Sequence, residues 1–371
     1  MSRFHELLSE RLGTKIPDMD VTNIAAVNAV VNEVLMEMGI PQFTHHNVIT
    51  MTDSYKFSHH KQYMPDIQNV FSYFEARTGA TYNNTIFFGL QYLLKKYFCG
   101  PVVTKDKIEE AAELAANHFG NEKLFNREMW EHILSKHGGF LPIKIRAVQE
   151  GLAVPVNHSM MTVENTDSKC APLTNIMETV LTHVWAPSTV ATVSYELQQL
   201  LSHYLSETSD DDSGLKFMLH DFGYRGASSV ESAGICGAGH LLNFQGTDTV
   251  RAIEIARDYY GASYDGLAYS IPATEHSVMT AGGREGEEAL VKHLLDQHPE
   301  GLFAMVIDSY DHVNFILNVL SKFKDQILAR NGKIIARPDS GEPSSTTLEV
   351  LGCLEQVFGT TRNKKNYKVL E

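Results

Sequence analysis

The spacing of hydrophobic and polar positions predicts a chain that mixes helices and strands from its first residues onward. Apolar residues recur at helical spacing between Ile24 and Leu35, and this pattern predicts an amphipathic helix that ends near Gly39. We interpret residues 1–40 as an N-terminal helical extension that packs on the body of the protein or on a partner subunit.

The next part of the chain, residues 41–175, has the pattern of an α+β domain. Its predicted elements are strands at 70–74 and 85–88, a helix from the Thr104 cap to Gly120, and a β-rich stretch at 142–165. Residues 172–206 then read as largely helical, with a break at Pro187.

The second half of the chain is periodic. Five apolar segments each end at a polar cluster, and a helix-like stretch follows each cluster. The segments are 216–220, 241–244, 267–271, 303–307 and 334–336, and their clusters begin at Asp221, Gly246, Thr274, Asp308 and Arg337. From Asp221 through Asp248, Glu275 and Asp308 to Arg337, successive spacings are 27, 27, 33 and 29 residues.

A strand, a loop and a helix occupy about that length, so the spacing predicts consecutive β/α units. The predicted fold class is therefore α/β, with a (β/α) barrel-like domain at 176–371 after the N-terminal α+β domain. Polar clusters at five strand ends predict one convergent active site. Five units do not close an eight-unit barrel, and the chain stops at 368–371 where another strand should begin. We therefore expect either that earlier segments supply the missing strands or that the barrel is incomplete at the C-terminus.

Composition narrows the class of protein. The 371 residues include 31 Lys and Arg against 45 Asp and Glu, a formal net charge of −14, which argues against nonspecific nucleic-acid binding. No apolar run approaches the roughly 18 residues of a membrane span, and residues 1–15 lack the apolar core of a signal peptide. Four cysteines without a Cys-x-x-Cys pair fit a reducing compartment, so we expect a cytoplasmic protein with no membrane partner.

His276 is the first candidate for chemistry. It follows Glu275 at a predicted strand end, and Asp308 is available from the next unit. A carboxylate that holds one ring nitrogen of a histidine presents the other nitrogen as a nucleophile or base. The alternative is an ordinary surface histidine.

Two charged clusters are candidates for binding an anionic, flat ligand. Arg337 and Asp339 bracket a proline-fixed turn, which offers a cation to phosphate and a carboxylate to sugar hydroxyls, although a simple ion pair would give the same pattern. Arg225 lies beside Phe222, which would combine an anion contact with an aromatic platform or would only cap the barrel. Asp248 suits an amide donor but would look the same as a helix N-cap.

These clusters occur in the order of a known enzyme family. The motifs are Asp-Ser-Tyr-Lys at 53–56, Tyr-Phe-Glu-Ala-Arg at 73–77, Glu-Asn-Thr-Asp at 164–167, His-Asp-Phe-Gly-Tyr-Arg-Gly at 220–226, Gly-Thr-Asp-Thr-Val at 246–250, Glu-His-Ser at 275–277, Asp-Ser-Tyr-Asp at 308–311 and Arg-Pro-Asp-Ser-Gly at 337–341. From about Asn47 to the C-terminus the chain therefore resembles the nicotinamide phosphoribosyltransferase family.

The resemblance implies transfer of phosphoribose from phosphoribosyl pyrophosphate to nicotinamide in NAD salvage, by a homodimer with shared sites. It implies that Phe222 and a Tyr55 from the other subunit sandwich the pyridine ring. It places Asp248 on the carboxamide, with Ser270 and Arg225 nearby. Arg77 would reach pyrophosphate across the dimer interface, and Arg337 and Asp339 would hold phosphate and ribose hydroxyls.

The resemblance also implies that Mg²⁺ binds the leaving pyrophosphate. It further implies that ATP phosphorylates His276, with Glu275 and Asp308 orienting the imidazole. The Asp248 carboxylate would repel the carboxylate of nicotinate but accept a hydrogen bond from the amide of nicotinamide, so nicotinamide is the preferred substrate. The alternative activity is that of a nicotinate phosphoribosyltransferase. Family members continue past the position of Glu371 into a glycine-rich 5′-phosphate loop, so a non-catalytic, ligand-binding and dimerising remnant is a second alternative.

Overall fold

This computed structural model describes residues 46–370 of the chain, which form a mixture of helices and strands. The predicted amphipathic helix and the extension at 1–40 lie outside the described residues. The strands are β1 Phe71–Glu75, β2 Asn84–Ile86, β3 Ile143–Ala147, β4 Ala153–Pro155, β5 Ser159–Asn165, β6 His220–Asp221, β7 Gly246–Thr247, β8 Glu300–Val306, β9 Asn331–Arg337, β10 Thr360–Arg362 and β11 Lys368–Leu370. The helices are Leu90–Leu93, Lys105–Phe119, Arg127–His137, Ala171–Leu181, Trp185–Thr208, Val230–His240, Val250–Tyr260, His276–Met279, Glu287–Gln297, His312–Asn314, Lys324–Leu328 and Pro343–Phe358.

The chain forms two compact units that interleave along the sequence. The described part of unit 1 is 46–72, Lys96–Ile145 and Val163–Val180, and unit 2 is Tyr73–Lys95, Arg146–Thr162 and Leu181 onward. The sequence predicted domains that follow one another along the chain, with boundaries after residues 40 and 175, and this division stays a prediction.

Unit 1 contains the helix that the sequence predicted between Thr104 and Gly120. The Thr104 hydroxyl accepts from the Lys107 amide as an N-cap, and Gly120 ends the helix in the left-handed conformation at φ +61°. The helix Lys105–Phe119 buries Ile108, Ala111 and Ala115. Its neighbour Arg127–His137 buries Met129, Trp130 and Ile133, so the two apolar faces supply much of this core.

In unit 2 glycines allow two helices to pack closely. A methyl group at Gly234 would lie 2.7 Å from Cγ of Arg251, and one at Gly237 would lie 2.7 Å from Cβ of Ala252. The helix Val230–His240 therefore approaches Val250–Tyr260 at distances that a larger residue would prevent.

Parallel pairing in unit 2 follows the order of the predicted β/α units. Strand β6 pairs with β7, and β8 pairs with β9 in a parallel register that matches Val306 with Arg337. The segment between them is bridged on both sides, Tyr269 to Gly246 of β7 and Ala273 to Ala304 of β8. Five successive chain segments thus run side by side in parallel, which confirms the α/β class.

Three of the five predicted strands are shorter or later than the sequence suggested. Residues 216 and 217 belong to the 3-10 turn Leu215–Phe217, and within 216–220 only His220 is in a strand; residues 216–218 are exposed. Residues 241–244 continue the helical turn, with the Phe244 amide donating to the His240 carbonyl, and residues 267–271 contribute a single bridge. The helical break precedes Pro187, which is accommodated in the first turn of Trp185–Thr208.

The strands β8 and β9 rest on a core shared with three helical segments. Phe303 and Met305 of β8 belong to one buried cluster with Val291, Phe315 and Val350 from those segments. This packing fixes the carboxyl ends of β8 and β9, where Asp308 and Arg337 lie. Over residues 46–370 no helix is both long enough and apolar enough to cross a bilayer.

Candidate active site

The carboxyl ends of the parallel segments in unit 2 bring together polar side chains that are far apart in sequence. Asp248 follows β7, Ser270 follows the bridge at Tyr269, and Asp308 follows β8. Parallel strands point their carboxyl ends toward the same edge of a sheet, and this edge is where α/β proteins place ligands.

Asp248 sits at the centre of a small hydrogen-bonded group. Its Oδ1 accepts from the Ser270 hydroxyl and lies 3.1 Å from Nε2 of His220. Gly246 makes room for this imidazole, because a Cβ there would lie 2.7 Å from Nδ1 of His220. Both neighbours act on Oδ1, so Oδ2 of this half-exposed carboxylate remains available to a ligand donor.

Phe222 presents an aromatic face beside this group. Its ring is 51% exposed and lies 4.7 Å from the His220 ring at an angle of 37°. The Arg337 guanidinium also lies 5.5 Å from the Phe222 ring centre. Arg337 is fixed there by donating from Nη2 to the Thr274 carbonyl at 2.9 Å.

His276 begins the short helix His276–Met279 and is flanked by two carboxylates. Its Nε2 lies 3.3 Å from Oδ1 of Asp308, and its Nδ1 lies 3.9 Å from Oδ2 of Asp339. The side chain is 48% exposed, so a ligand can reach it. The Glu275 carboxylate instead accepts from the Ser277 hydroxyl, and an orienting role for Glu275 stays a prediction.

Asp308 is a buried carboxylate with a definite charge state. Its Oδ2 accepts from the Asp339 amide at 2.9 Å and from the Ser340 hydroxyl at 2.6 Å. Burial opposes ionisation, but these hydrogen bonds outweigh it and hold the pKa of Asp308 below its usual value. Asp308 therefore faces His276 as an anion and favours an N–H on Nε2.

A continuous series of contacts connects these groups. It runs from Asp248 through His220, Phe222, Arg337, Asp339 and His276 to Asp308. We call it the strand-end series.

Three of its supporting residues had no role in the sequence-based prediction, namely His220, Thr274 and Ser340. His220 and Ser340 lie inside the motifs quoted above, and Thr274 directly precedes the Glu-His-Ser motif, so all three were close to residues that the sequence marked. Nothing in sequence order, however, distinguishes a supporting hydroxyl from a solvent-exposed one.

Three predicted site residues lie elsewhere. Tyr55 belongs to unit 1, on the 3-10 helix Ser54–Lys61, with its ring 59% exposed. Arg77 and Arg225 belong to unit 2 and are exposed, outside the strand-end series. Their proposed roles all involve ligands or a second subunit, so they stay predictions.

Comparison with known proteins identifies the class. Residues 47–145 match the model of the nicotinamide phosphoribosyltransferase N-terminal domain, and residues 217–370 match that of the nicotinate phosphoribosyltransferase family. Both models describe phosphoribosyltransferases, and the second covers the whole strand-end series. The class is therefore that of glycosyltransferase enzymes that transfer phosphoribose.

Curated relatives narrow this class further. The chain is 44% identical to a nicotinamide phosphoribosyltransferase of Xanthomonas campestris, over 87% of this chain and 69% of that protein. It is 32% identical to one of Acinetobacter baylyi, over 87% and 70%, and 34% identical to one of Mycoplasma pneumoniae, over 88% and 77%. The chain belongs to the nicotinamide phosphoribosyltransferase family.

Two solved structures show a weaker similarity. The human nicotinic acid phosphoribosyltransferase is 13% identical with a TM-score of 0.41, over 62% of this chain and 40% of that one. The nicotinate-nucleotide pyrophosphorylase of Pyrococcus furiosus is 14% identical with a TM-score of 0.48, over 85% and 66%.

Proposed function

We propose that this chain transfers phosphoribose from phosphoribosyl pyrophosphate to the ring nitrogen of nicotinamide, giving nicotinamide mononucleotide and pyrophosphate. The observation that carries the proposal is the strand-end series, which puts an amide acceptor, an aromatic face, a cation and a carboxylate-held histidine side by side. Each of these groups matches one part of the two substrates. The reaction would serve NAD salvage, and the four unpaired cysteines support a cytoplasmic location.

The pyridine ring would stack on Phe222, with its carboxamide directed at Asp248. The free Oδ2 of Asp248 accepts the carboxamide N–H, while His220 and Ser270 keep the carboxylate in place through Oδ1. Nicotinate carries a carboxylate where nicotinamide carries this amide. The two negative charges would repel each other, so Asp248 discriminates between the substrates.

Bond exchange at the ribose needs positioning more than acid–base chemistry. The pyridine nitrogen is a neutral nucleophile, so it attacks C1 of the ribose without losing a proton. The C1–N bond forms as the C1–O bond to pyrophosphate breaks, and the ring nitrogen takes the positive charge. Stacking on Phe222 aligns the nitrogen with C1, and Arg337 offsets negative charge on phosphate. Asp339 is 50% exposed and would accept from ribose hydroxyls.

The donor set at the strand ends fits Mg²⁺ only as an ion held mainly by substrate. Asp308 uses Oδ2 for Ser340, and Asp248 uses Oδ1 for Ser270 and His220 and would use Oδ2 for the carboxamide. Asp339 is then the exposed carboxylate of the strand-end series that stays open to an ion. One carboxylate with diphosphate oxygens and water is a usual environment for Mg²⁺. When bound, Mg²⁺ supplies positive charge to the leaving pyrophosphate.

His276 would couple ATP to substrate capture. The anionic Asp308 favours the N–H on Nε2, so Nδ1 would carry the lone pair and attack the terminal phosphorus of ATP. The N–P bond forms as the bond to ADP breaks, and later hydrolysis returns the imidazole and phosphate. The exposure of His276 and its two carboxylate neighbours support this role.

The experiment measures product from nicotinamide and from nicotinate for the wild type and Asp248→Asn. An amide at this position still accepts a hydrogen bond but carries no charge. We expect kcat/KM for nicotinamide to fall and the nicotinate-to-nicotinamide ratio to rise at least about tenfold, or about 1.4 kcal/mol. Asp265→Asn is the matched control, because Asp265 is exposed and lies at the opposite end of the third segment.

Three outcomes would contradict the proposal or the role of Asp248 in it. A wild type that prefers nicotinate would identify the chain as a nicotinate phosphoribosyltransferase. Nicotinamide binding without transfer would identify a ligand-binding protein. An unchanged substrate ratio in Asp248→Asn would remove Asp248 from the base pocket.

A further inference from the structure

A second cluster of chemically capable side chains lies in unit 1 and takes no part in the strand-end series. Asp167 ends the Glu-Asn-Thr-Asp motif, and its Oδ2 lies 2.8 Å from Nε2 of His132 and 2.8 Å from Nε2 of His137. Cys170 lies three residues further on. Ligand atoms of His132, Asp167 and Cys170 all lie within 4.8 Å of one another.

We propose that His132, Asp167 and Cys170 bind a divalent transition-metal ion of the Zn²⁺ type, with a fourth position left to water or an exogenous ligand. This site does not depend on the phosphoribosyltransferase activity. It occupies a different unit and uses none of the residues of the strand-end series.

Local backbone structure sets two of the three ligands. Asp167 caps the 3-10 turn Ser168–Cys170, and its Oδ1 accepts from the Lys169 amide at 2.9 Å. One turn of 3-10 helix brings residues i and i+3 to the same side, so the Asp167 carboxylate and the Cys170 thiol face a common point. The backbone of Asp167 is held in turn, because the Asn165 amide donates to its carbonyl.

The third ligand comes from the helix Arg127–His137, which is packed beside this turn. In a tetrahedral zinc site, bonds of roughly 2.0–2.3 Å put ligand atoms about 3.3–3.8 Å apart. The observed limit of 4.8 Å requires an inward movement of about 1 Å, which side-chain rotation supplies. His132 and Asp167 are about one-fifth exposed, so a metal ion can enter without unfolding the unit.

His137 has the position of an outer partner. It donates to the same Asp167 oxygen from 2.8 Å, and its ring centre is 5.6 Å from that of His132. Carboxylates and imidazoles around metal ligands orient them in this way. Before metal enters, these hydrogen bonds keep the pKa of Asp167 well below its usual value, so the carboxylate is already charged.

The donor set selects the type of metal. An imidazole, a carboxylate and a thiolate suit Zn²⁺ or Co²⁺, whereas Mg²⁺ and Ca²⁺ prefer oxygen alone. Burial, aided by the Asp167 charge, raises the pKa of the Cys170 thiol to about 12. Metal binding therefore forms a metal–sulfur bond, breaks the S–H bond and releases that proton to solvent.

A surface cleft offers access to the site. The cleft has a volume of about 770 Å³, and its lining includes His132 and Lys169. A ligand that completes the metal coordination would enter from this side, and the Lys169 ammonium would favour an anion there.

The test uses Co²⁺ and Zn²⁺ added to the full-length chain after chelator treatment and desalting. We expect one ion per chain and, with Co²⁺, the intense absorption of a thiolate-to-metal charge transfer. Cys170→Ser should abolish that absorption, and His132→Gln should weaken binding by at least tenfold. His137→Gln should weaken it by about 10–100-fold, as expected for an outer partner.

Cys353→Ser is the matched control, because Cys353 is also a buried, unpaired thiol but lies in unit 2. It should leave the absorption unchanged. Circular dichroism of each variant verifies that the chain is folded. The proposal is overturned if the folded wild type binds no stoichiometric ion, or if the charge-transfer absorption survives in Cys170→Ser. In either case the cluster would be a metal-free polar group held together by hydrogen bonds.

Discussion

Asp308 positions two separate parts of the candidate site with one carboxylate. Its Oδ2 accepts from Asp339 and Ser340, which fixes the turn after β9, and its Oδ1 faces His276. Oδ1 is buried and has no hydrogen-bond partner among the described residues, so its 3.3 Å approach to Nε2 of His276 is an ion-pair contact. A buried anion of this kind is stable only beside its donors, so His276 and the turn are coupled.

At the residue scale, this coupling predicts the behaviour of His276 variants. His276→Ala should incorporate no acid-labile phosphate from γ-labelled ATP, and ATP should no longer accelerate product formation. Asp308→Asn should reduce incorporation at least about tenfold, because the amide no longer holds the Nε2 proton as strongly. The measurement is labelled phosphate on the protein together with the turnover rate with and without ATP.

His203→Ala is the control for this prediction. His203 is 62% exposed and pairs with Glu207 on the helix Trp185–Thr208, so it shares the histidine–carboxylate pairing but not the location. Full phosphate incorporation in His276→Ala would exclude His276 as the acceptor.

Sequence reasoning found every member of the strand-end series except His220, and it missed the supporting residues Thr274 and Ser340. Residues such as Asp248, His276 and Arg337 stand at regular intervals and are chemically unusual, so their spacing marks them. His220 acts by filling the space beside Gly246, and Ser340 acts by donating to Asp308. Such roles depend on distances between segments that sequence order does not contain.

At the scale of elements, the sequence predicted strands best where their apolar residues contact the core. The sequence predicted β8, whose residues 303–306 are buried, and β9, whose Ile334 and Ala336 pack against the same apolar cluster. It overestimated the strands at 216–220, 241–244 and 267–271, where two-residue strands or a single bridge suffice to bring the loops together. A short strand leaves too few positions for an alternating pattern to form.

The start of the β8–β9 pair gives an element-scale prediction. Gly332 has φ +150°, and a Cβ there would lie 2.1 Å from the Gly301 carbonyl oxygen. Gly332→Ala should therefore lower the free energy of unfolding by about 1–3 kcal/mol, since both the backbone angle and the close contact resist a side chain. Urea unfolding followed by circular dichroism measures the change.

Gly352→Ala is the matched substitution with the opposite expected sign. Gly352 lies on the exposed face of the helix Pro343–Phe358, and a Cβ there would have no heavy atom within 4 Å. Alanine should raise stability by about 0.5–1 kcal/mol through its helix propensity. Equal effects of the two substitutions would contradict the described geometry of β8 and β9.

At the scale of the whole molecule, the net charge of −14 opposes the approach of phosphorylated substrates. Binding must then depend on local cations such as Arg337, and on those that a second subunit would bring. The family could be predicted because the motifs extend over most of the chain, and the α/β class because the polar clusters recur at the spacing of β/α units. The interleaved division into two units could not be predicted, because it depends on contacts between distant segments.

The proposed shared site predicts complementation between two inactive variants. If Tyr55 of one subunit stacks over the ligand bound at Phe222 of the other, Tyr55→Ala and Phe222→Ala homodimers should both be inactive. Mixed dimers contain one intact site of two, so a refolded or co-expressed equal mixture should recover about a quarter of wild-type activity.

Sedimentation of the mixture measures the oligomeric state in the same samples. Recovery in a mixture of Phe222→Ala and Asp248→Ala should not occur, because both residues belong to one subunit's part of the site. A monomer with full turnover, or recovery in that second mixture, would contradict the shared site.

The most direct measurement is nicotinamide mononucleotide formation by the purified 371-residue chain, supplied with nicotinamide, phosphoribosyl pyrophosphate and Mg²⁺, with and without ATP. We expect nicotinamide mononucleotide and pyrophosphate in equal amounts, a faster rate with ATP, and little product when nicotinate replaces nicotinamide. Absence of nicotinamide mononucleotide under both conditions, or faster product formation from nicotinate, would contradict the proposed function.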